Sequence, residues 1–488
     1  MKRILLAVFF ISNILYSQEK IIDTVQGTKQ NLDEVIVKGI RAKFSSPISY
    51  SNIYKEKLKN KNLGQDLPIL LNFLPSVVTT SDAGAGIGYT GIRVRGVSPQ
   101  STNITINGIP FNDPESMGTF WVNLPDFTSS VQSLQLQRGI GTSTNGSGAF
   151  GASINILTDN ISQTPYAEIS SSFGSFNTRK NTIKFSTGKI NDVFEFSGRF
   201  SKIDSDGYVD RAYSDLKSYF IQGTYLKGST LIKAISFAGH EKTYQSWYGL
   251  TMDQLKENRR QNPYTYENEI DNYKQDHYQL HWNEKINNFW SFNLGLNYTY
   301  GRGYFEQYRE DDNIDTYGGI VSSDTNLNGE KTDTTDLIRR RWLDNDFYVF
   351  NSSLNFVKNK IDLTISSSYS SYVGDHFGEV IWARTFSSNG KIRDRYYEGL
   401  GEKKDLSFFT KLLYSIDEKI EFYSDLQYRN VKYNTSGTTS DLVNMVIDKS
   451  YGFFNPKIGL SYKLNPNSLL YFSYARANRE PNRTDYES

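Results

Sequence analysis

The 488-residue chain has no cysteine. Disulfides, thiolate metal sites and a thiol nucleophile are therefore excluded. Histidine and methionine number only 4 each. His277 and His281 fall on one strand face, but four residues of extended chain hold them roughly 14 Å apart, too far to share an ion. No charge of one sign dominates: 54 basic residues meet 53 acidic ones for a net +1. Nucleic acid is not an expected partner, and there is no charged tail. Beyond the first residues, no apolar run reaches the ~20 needed for a spanning helix. No motif sets a nucleophile beside a base, so an enzyme is not expected, nor is a cofactor.

Aromatic residues are plentiful, with Tyr 34, Phe 30 and Trp 6, while mean hydropathy is polar at −0.53. A polar chain rich in Tyr and Phe suits strands that are wet on one face and apolar on the other. The N-terminus "MKRILLAVFFISNILYSQ" has a basic start at Lys2 and Arg3, an apolar stretch from Ile4 to Leu15 and a small residue at Ser17. It reads as a signal peptide over 1–17, and the protein is expected to be exported.

Two styles follow. Residues 18–39 form a polar lead ending in "LDEVIVKG". Residues 40–160 read as a small α+β domain. "SNIYKEKLKNKNLGQDLPILLNFLPSV" suggests a helix broken near Pro68, and "IRVRG", "NITING", "SLQLQRG" and "ASINILT" are short strands punctuated by Gly and Asn-Gly. "GSGAFG" at 146–151 matches G-x-G-x-x-G. A strand pattern rather than a helix follows it, so close turns are expected and not a nucleotide site.

From 161 to 488 the segments lengthen and alternate strictly. In "VFEFSGRFSK", Phe194, Phe196 and Phe200 oppose Glu195, Ser197 and Arg199. "HYQLHWNEK", "SFNLGLNYTYG" and "KIDLTISSSYSSY" behave alike. Short turns such as "GKIND" alternate with long polar loops, the longest expected over 240–272 and 302–341. These features predict an all-β transmembrane β-barrel preceded by a plug domain. About thirteen strands are expected over Tyr166–Arg476, whereas ~22 strands leave a lumen that holds a plug. The end, "REPNRTDYES", reads as a polar loop, so a C-terminally truncated piece of a longer receptor is expected.

Several motifs, in order, resemble the TonB-dependent outer-membrane receptors: "DEVIVKG" at 33–39, "IRVRG" at 92–96, "NITINGIPFND" at 103–113, "VQSLQLQRGIGTSTNGSGAFGASINILT" at 131–158 and "YFSYARANREPN" at 471–482. The resemblance implies a 22-stranded barrel in the outer membrane, active import of a scarce ligand, and TonB as energy-transducing partner. Asp33, Glu34, Val35, Ile36 and Val37 match the TonB box. Extended and β-branched, this segment is suited to adding as a strand to a partner sheet. Arg95 and Arg138 match plug arginines that pair with barrel glutamates, and Glu480 is a candidate partner.

Ligand contacts are expected from "SDAGAGIGYT" at 81–90, "FNDPESMGTFW" at 111–121 and the barrel loops. Tyr89, Asp113, Glu115, Trp121, Trp247, Tyr248 and Tyr308 are the candidates. The resemblance favours a ferric siderophore, with cobalamin, haem or an oligosaccharide as alternatives. A non-energised structural or adhesive barrel, also embedded in outer-membrane lipid, would need neither plug nor box. Asp324, Asn326 and Asn328 partly copy a calcium loop, but Thr335 stands where its final Glu belongs.

Overall fold

The computed structural model describes residues 41–143, 150–325 and 329–487. The signal peptide, the Asp33–Val37 segment, Asn326, Asn328 and most of "GSGAFG" lie outside them.

Apolar side chains alternate with polar ones in "NITI", "SLQLQ" and "SINIL", and each stretch forms a strand. The domain contains β1 (Ser49–Tyr54), β2 (Val77–Ser81), β3 (Thr90–Val94), β4 (Thr102–Ile106), β5 (Ile109–Pro110), β6 (Val131–Arg138) and β7 (Ala152–Thr158). Its main sheet runs β1-β6-β7-β4-β5. Only β4 and β7 pair in parallel. Ile104, Ile106, Leu134, Leu136, Ile154 and Ile156 form one fully buried face. Each such side chain contributes about 1.5–3 kcal/mol.

The opposite face carries Gln135, Ser153 and Asn155, also buried. Gln135 and the Asn155 amide oxygen are held there by hydrogen bonds. Thr105 donates to the Asn155 side chain at 2.8 Å, and Arg41 donates to the Asn155 carbonyl at 3.1 Å. Asn107 and Gly108 turn β4 into β5 with φ of 54° and 83°, which is why an Asn-Gly pair stands there. The expected helix over 51–77 is mostly something else. Its start belongs to β1, and only Lys55–Lys59 and Leu67–Leu70 are helical, with Pro68 in the first turn of the second.

The second region is a 13-stranded sheet in chain order, antiparallel throughout. It comprises β8 (Tyr166–Phe173), β9 (Arg179–Ser186), β10 (Phe194–Ser205), β11 (Ser214–Lys227), β12 (Thr230–Tyr244), β13 (Ile270–Lys285), β14 (Trp290–Asn313), β15 (Thr334–Lys358), β16 (Ile361–Ala383), β17 (Arg395–Ser415), β18 (Ile420–Gly437), β19 (Ile447–Asn465) and β20 (Ser468–Ala475). Among the described residues, β8 and β20 each pair on one side only. The alternation holds: Phe194, Phe196, Phe200, Tyr278, Leu280, Trp282 and Leu296 are exposed, and Glu195, Arg199, Gln279, His281, Asn283 and Asn297 are buried. The exposed face is an apolar outer band. The buried polar face looks onto the first domain.

The expected loop over 302–341 is much shorter, because β14 continues to Asn313 and β15 begins at Thr334. Cross-strand contacts sustain this extension. Tyr304 packs on Trp342 at 4.7 Å, and Arg340 pairs with Glu306 at 2.8 Å. Above it, Tyr317, Val321, Leu337, Val380, Tyr396 and Tyr397 form a separate small core.

Candidate functional site

The first domain lies against the inner face of the wall, and the joint is built from carboxylates. Asp126 is buried and meets Lys180 of β9 at 2.7 Å and Arg199 of β10 at 3.4 Å. Thr182 and Ser201 also donate to it, at 2.7 and 2.6 Å. Burial alone would raise its pKa, but the two cations and these hydrogen bonds hold it well below the usual carboxylate range. Beside it, Phe127 packs on Phe237 at 5.2 Å, so one apolar core spans plug and wall. Asp159 pairs with Lys184 of β9 and with Lys55. On the far side, Glu115 accepts from His376 of β16 at 2.7 Å, Tyr433 of β18 at 2.6 Å and Arg483 at 3.1 Å.

This joint corrects the expected arginine pairing. Glu480 is buried but bonds to Arg429 and Lys403, both in the wall, at 2.7 and 2.6 Å. The Arg429 fork and the Lys403 amine occupy both of its oxygens. Arg138 stays inside the plug, donating to Pro75 O at 3.1 Å and to Ser51 at 3.0 Å. Arg95 sits in a positive-φ turn and is exposed. At Asp126 and Asp159, plug acids meet wall bases, whereas Lys43 and Lys59 of the plug meet the wall carboxylates Asp362 and Glu168.

Between the plug loops and the upper wall lies a cavity of about 560 Å³, within the usual range for small-molecule sites. Tyr89, Asp113 and Trp247 line it. Tyr89 donates to Asp271 of β13, lies 3.5 Å from Glu241 of β12, and meets Trp247 edge-on at 5.4 Å. Burial, with these two carboxylates alongside, pushes its phenol pKa up. Asp113 accepts from Ser116 N at 2.7 Å, and its pKa is also raised by burial.

The other candidates stand elsewhere. Glu115 is committed to its three wall and loop partners. Trp121 is buried in the plug core. Tyr248 packs on Tyr264 at 5.0 Å, and Tyr308 donates to Asp336 at 2.9 Å; neither reaches the cavity. Asp324 faces Arg384 at 3.5 Å and accepts from Thr385 at 3.0 Å. Asn326 and Asn328, the other two residues of the calcium expectation, lie outside the described residues.

Sequence reasoning missed Tyr273, His277, Phe305, Arg341 and His376, which also line the cavity. Their signal was position. Each lies on an inward-facing register of a strand. Arg341 stacks over Phe305 at 5.2 Å, and its buried Nε has no partner among the described residues. A second cavity of about 170 Å³ shares Asp113 and Asn112 with the first and is lined by Asn107, Asn283, Ser366, Ser368 and Ser370.

A plug followed by a β-wall is also what sequence comparison finds. A profile described as "TonB-dependent Receptor Plug Domain" matches residues 42–153, and one described as "TonB dependent receptor-like, beta-barrel" matches 225–488. The chain belongs to the TonB-dependent receptors. Family members are outer-membrane β-barrels, in keeping with the exposed apolar band.

A probable TonB-dependent siderophore receptor, PirA, of Acinetobacter baumannii is 24% identical over 190 residues, covering 37% of this chain and 23% of that protein. The ferric enterobactin receptor PirA of Pseudomonas aeruginosa is 25% identical over 206 residues, covering 38% and 28%. The matched segments thus span about a quarter of each curated relative. The open form of the ferric-catecholate import receptor Fiu from E. coli K12 superposes with a TM-score of 0.68 at 14% identity, covering 90% of this chain and 70% of that one. This receptor therefore has the family fold.

Proposed function

We propose that the receptor imports a ferric siderophore across the outer membrane by TonB-driven movement of the plug. One observation carries the reading: the 560 Å³ cavity is walled jointly by plug and sheet. A ligand seated there touches both bodies, so its binding energy can bias their joint. Tyr89, Trp247 and Phe305 offer aromatic faces, and Arg341, whose Nη2 donates to Ser440 and whose Nε is unpaired among the described residues, offers positive charge to an anionic chelate. The names of the PirA relatives support the same cargo class. No step here is catalytic; the protein acts as a transporter. TonB would take hold at Asp33–Val37, in the polar lead.

The test is uptake of radio-iron-loaded enterobactin by cells carrying the parent or Ile36→Pro, since proline removes an N–H that strand addition uses. Uptake lost with surface binding intact supports energised import. Uptake unchanged in the variant would sink it. Binding of another cargo in place of enterobactin would retain the mechanism and change the substrate.

A further inference from the structure

The stretch "SSSYSS" at 366–371 takes no part in the ligand cavity. On β16 it continues an inward face of small hydroxyls, Thr364, Ser366, Ser368 and Ser370, while Ile365 and Tyr369 are exposed on the other face. These four hydroxyl residues line the second cavity, of about 170 Å³. The two cavities share Pro110, Asn112, Asp113 and Pro114, so one plug loop separates them. The second runs toward the short-turn end of the wall. Its lining residue Asn283 lies two residues before the end of β13, and Asn293 and Thr364 lie three residues after the starts of β14 and β16. Short turns mark the periplasmic end of such a barrel. The cavity can hold water but no chelate, being smaller than the ~300 Å³ at which small-molecule pockets begin.

Its polar lining is incompletely satisfied. Asn283 is 1% exposed, and its Nδ2 has no partner among the described residues. Opposite it stands Asn293, whose Nδ2 donates to Ser353 at 3.1 Å and whose Oδ1 has no partner among the described residues. Buried amide groups left unpaired are rare and call for water or a polar guest.

The joint between plug and wall is uneven around this cavity. On β9 and β10 the buried Asp126 holds Lys180 and Arg199, and Phe127 shares a core with Phe220 and Phe237. Parting that side would strand buried charges. On β16, Glu115–His376 and Lys43–Asp362 stand near opposite ends of the strand, with the hydroxyl face between them. The ion pairs of β13, β14 and β15, among the described residues, all stay within the wall. At the second cavity the contacts to the plug are neutral: Asn107 donates to Gln279 at 3.3 Å, and Asn351 donates to Gly108 O at 2.9 Å. Bonds of this kind exchange for bonds to water at small net cost.

We propose that the plug parts from the wall over β13–β16, and that the chelate leaves the ligand cavity along the hydroxyl face of β16, past the Asn107–Gly108 turn. The Asp126 side stays seated as the hinge. Small side chains leave the width, and their hydroxyls, with the Asn283 and Asn293 amides, replace water around a polar chelate as it passes. The proposal rests on the import reading and adds the side on which the plug opens.

Two measurements test it in cells carrying the full-length receptor, with radio-iron-loaded enterobactin as probe. Ser366→Phe with Ser368→Phe narrows the path and is expected to import about tenfold more slowly, with surface binding unchanged. Ser371→Phe, on the opposite face of β16, should match the parent. The chain has no cysteine of its own, so single introduced thiols report local opening. Ser368→Cys should react with an impermeant maleimide about tenfold faster during uptake than in the same variant carrying Ile36→Pro. Ser218→Cys, beside Pro125 on the Asp126 side, should show no such acceleration. Import at the parent rate by the phenylalanine pair, or equal acceleration at Ser218→Cys, would overturn the proposal while leaving TonB-driven import standing. Uptake indifferent to Ile36→Pro would instead remove the import reading, and the opening with it.

Discussion

Glu115 accepts a 2.6 Å hydrogen bond from Tyr433, a residue 318 positions further along the chain. The bond ties a plug loop to strand β18, and His376 and Arg483 complete the grip. His376 also lines the shared cavity, so the latch and the ligand site have one side chain in common. Glycine is required beside it. A Cβ at Gly401 would fall inside contact distance of the Glu115 carboxylate. Gly401→Ala is expected to loosen the loop over 111–118, read as faster hydrogen exchange there with the wall strands unchanged.

The same latch sets a pH dependence. Burial would raise the Glu115 pKa, but the His376 hydrogen bond, followed by the His376 and Arg483 charges, brings it down to about 2 from 4.5. A depressed folded-state pKa contributes stability that is fully present above the unfolded value and is lost as pH falls through the folded one. Protection of the 111–118 loop should therefore persist down to about pH 4.5 and decline toward pH 2, a change of roughly 3 kcal/mol. Glu115→Gln should remove that acid-dependent part. A parent whose loop exchange is flat from pH 6 to pH 2 would refute the latch.

Asp126 tests the opposite side of the joint. Asp126→Asn leaves Lys180 and Arg199 buried without their counter-charge, at a cost of about 3–5 kcal/mol. Chemical denaturation followed by plug-specific proteolysis should show that loss. Adding Lys180→Met should recover part of it, because one stranded cation is then gone.

The Glu480 pairing is checked by double-mutant cycles. Arg429 and Glu480 should couple by about 1–3 kcal/mol, whereas Arg138 and Glu480, which share no partner, should couple by less than about 0.5 kcal/mol. Strong coupling in the second cycle would reinstate the arginine pairing expected from the family resemblance.

Two tryptophans separate binding from stability. Trp247→Ala should weaken ferric-siderophore binding about tenfold, near 1.4 kcal/mol, and leave the unfolding midpoint close to that of the parent. Trp121→Ala empties a place in the plug core and should cost about 3–5 kcal/mol of stability, with the surviving folded fraction binding normally. Equilibrium binding and denaturant titration on both variants decide the matter.

Much of the architecture was legible because it is written in period two. Phe194 against Glu195, or Leu280 against Gln279, is enough to tell outside from inside, since adjacent residues of a strand must face opposite ways. Asn107-Gly108 announced its turn for a similarly local reason. The helix expected over 51–77 failed because local propensity there yields to pairing of β1 with β6. The loop expected over 302–341 failed because polar composition does not reveal that Glu306 and Arg340 face each other across a hairpin.

The site was legible only where a loop carried it. Tyr89, Asp113 and Trp247 could be picked out from their segments. Arg341 and His376 could not, because an inward polar residue on one strand resembles every other until register places it beside a plug loop. The sequence by itself determined the strand alternation, the domain order and the family. Tertiary structure alone decided which carboxylate meets which cation and why Glu480 serves the wall rather than the plug. Those pairings depend on the register of strands tens to hundreds of residues apart, and no local pattern of residues encodes that register.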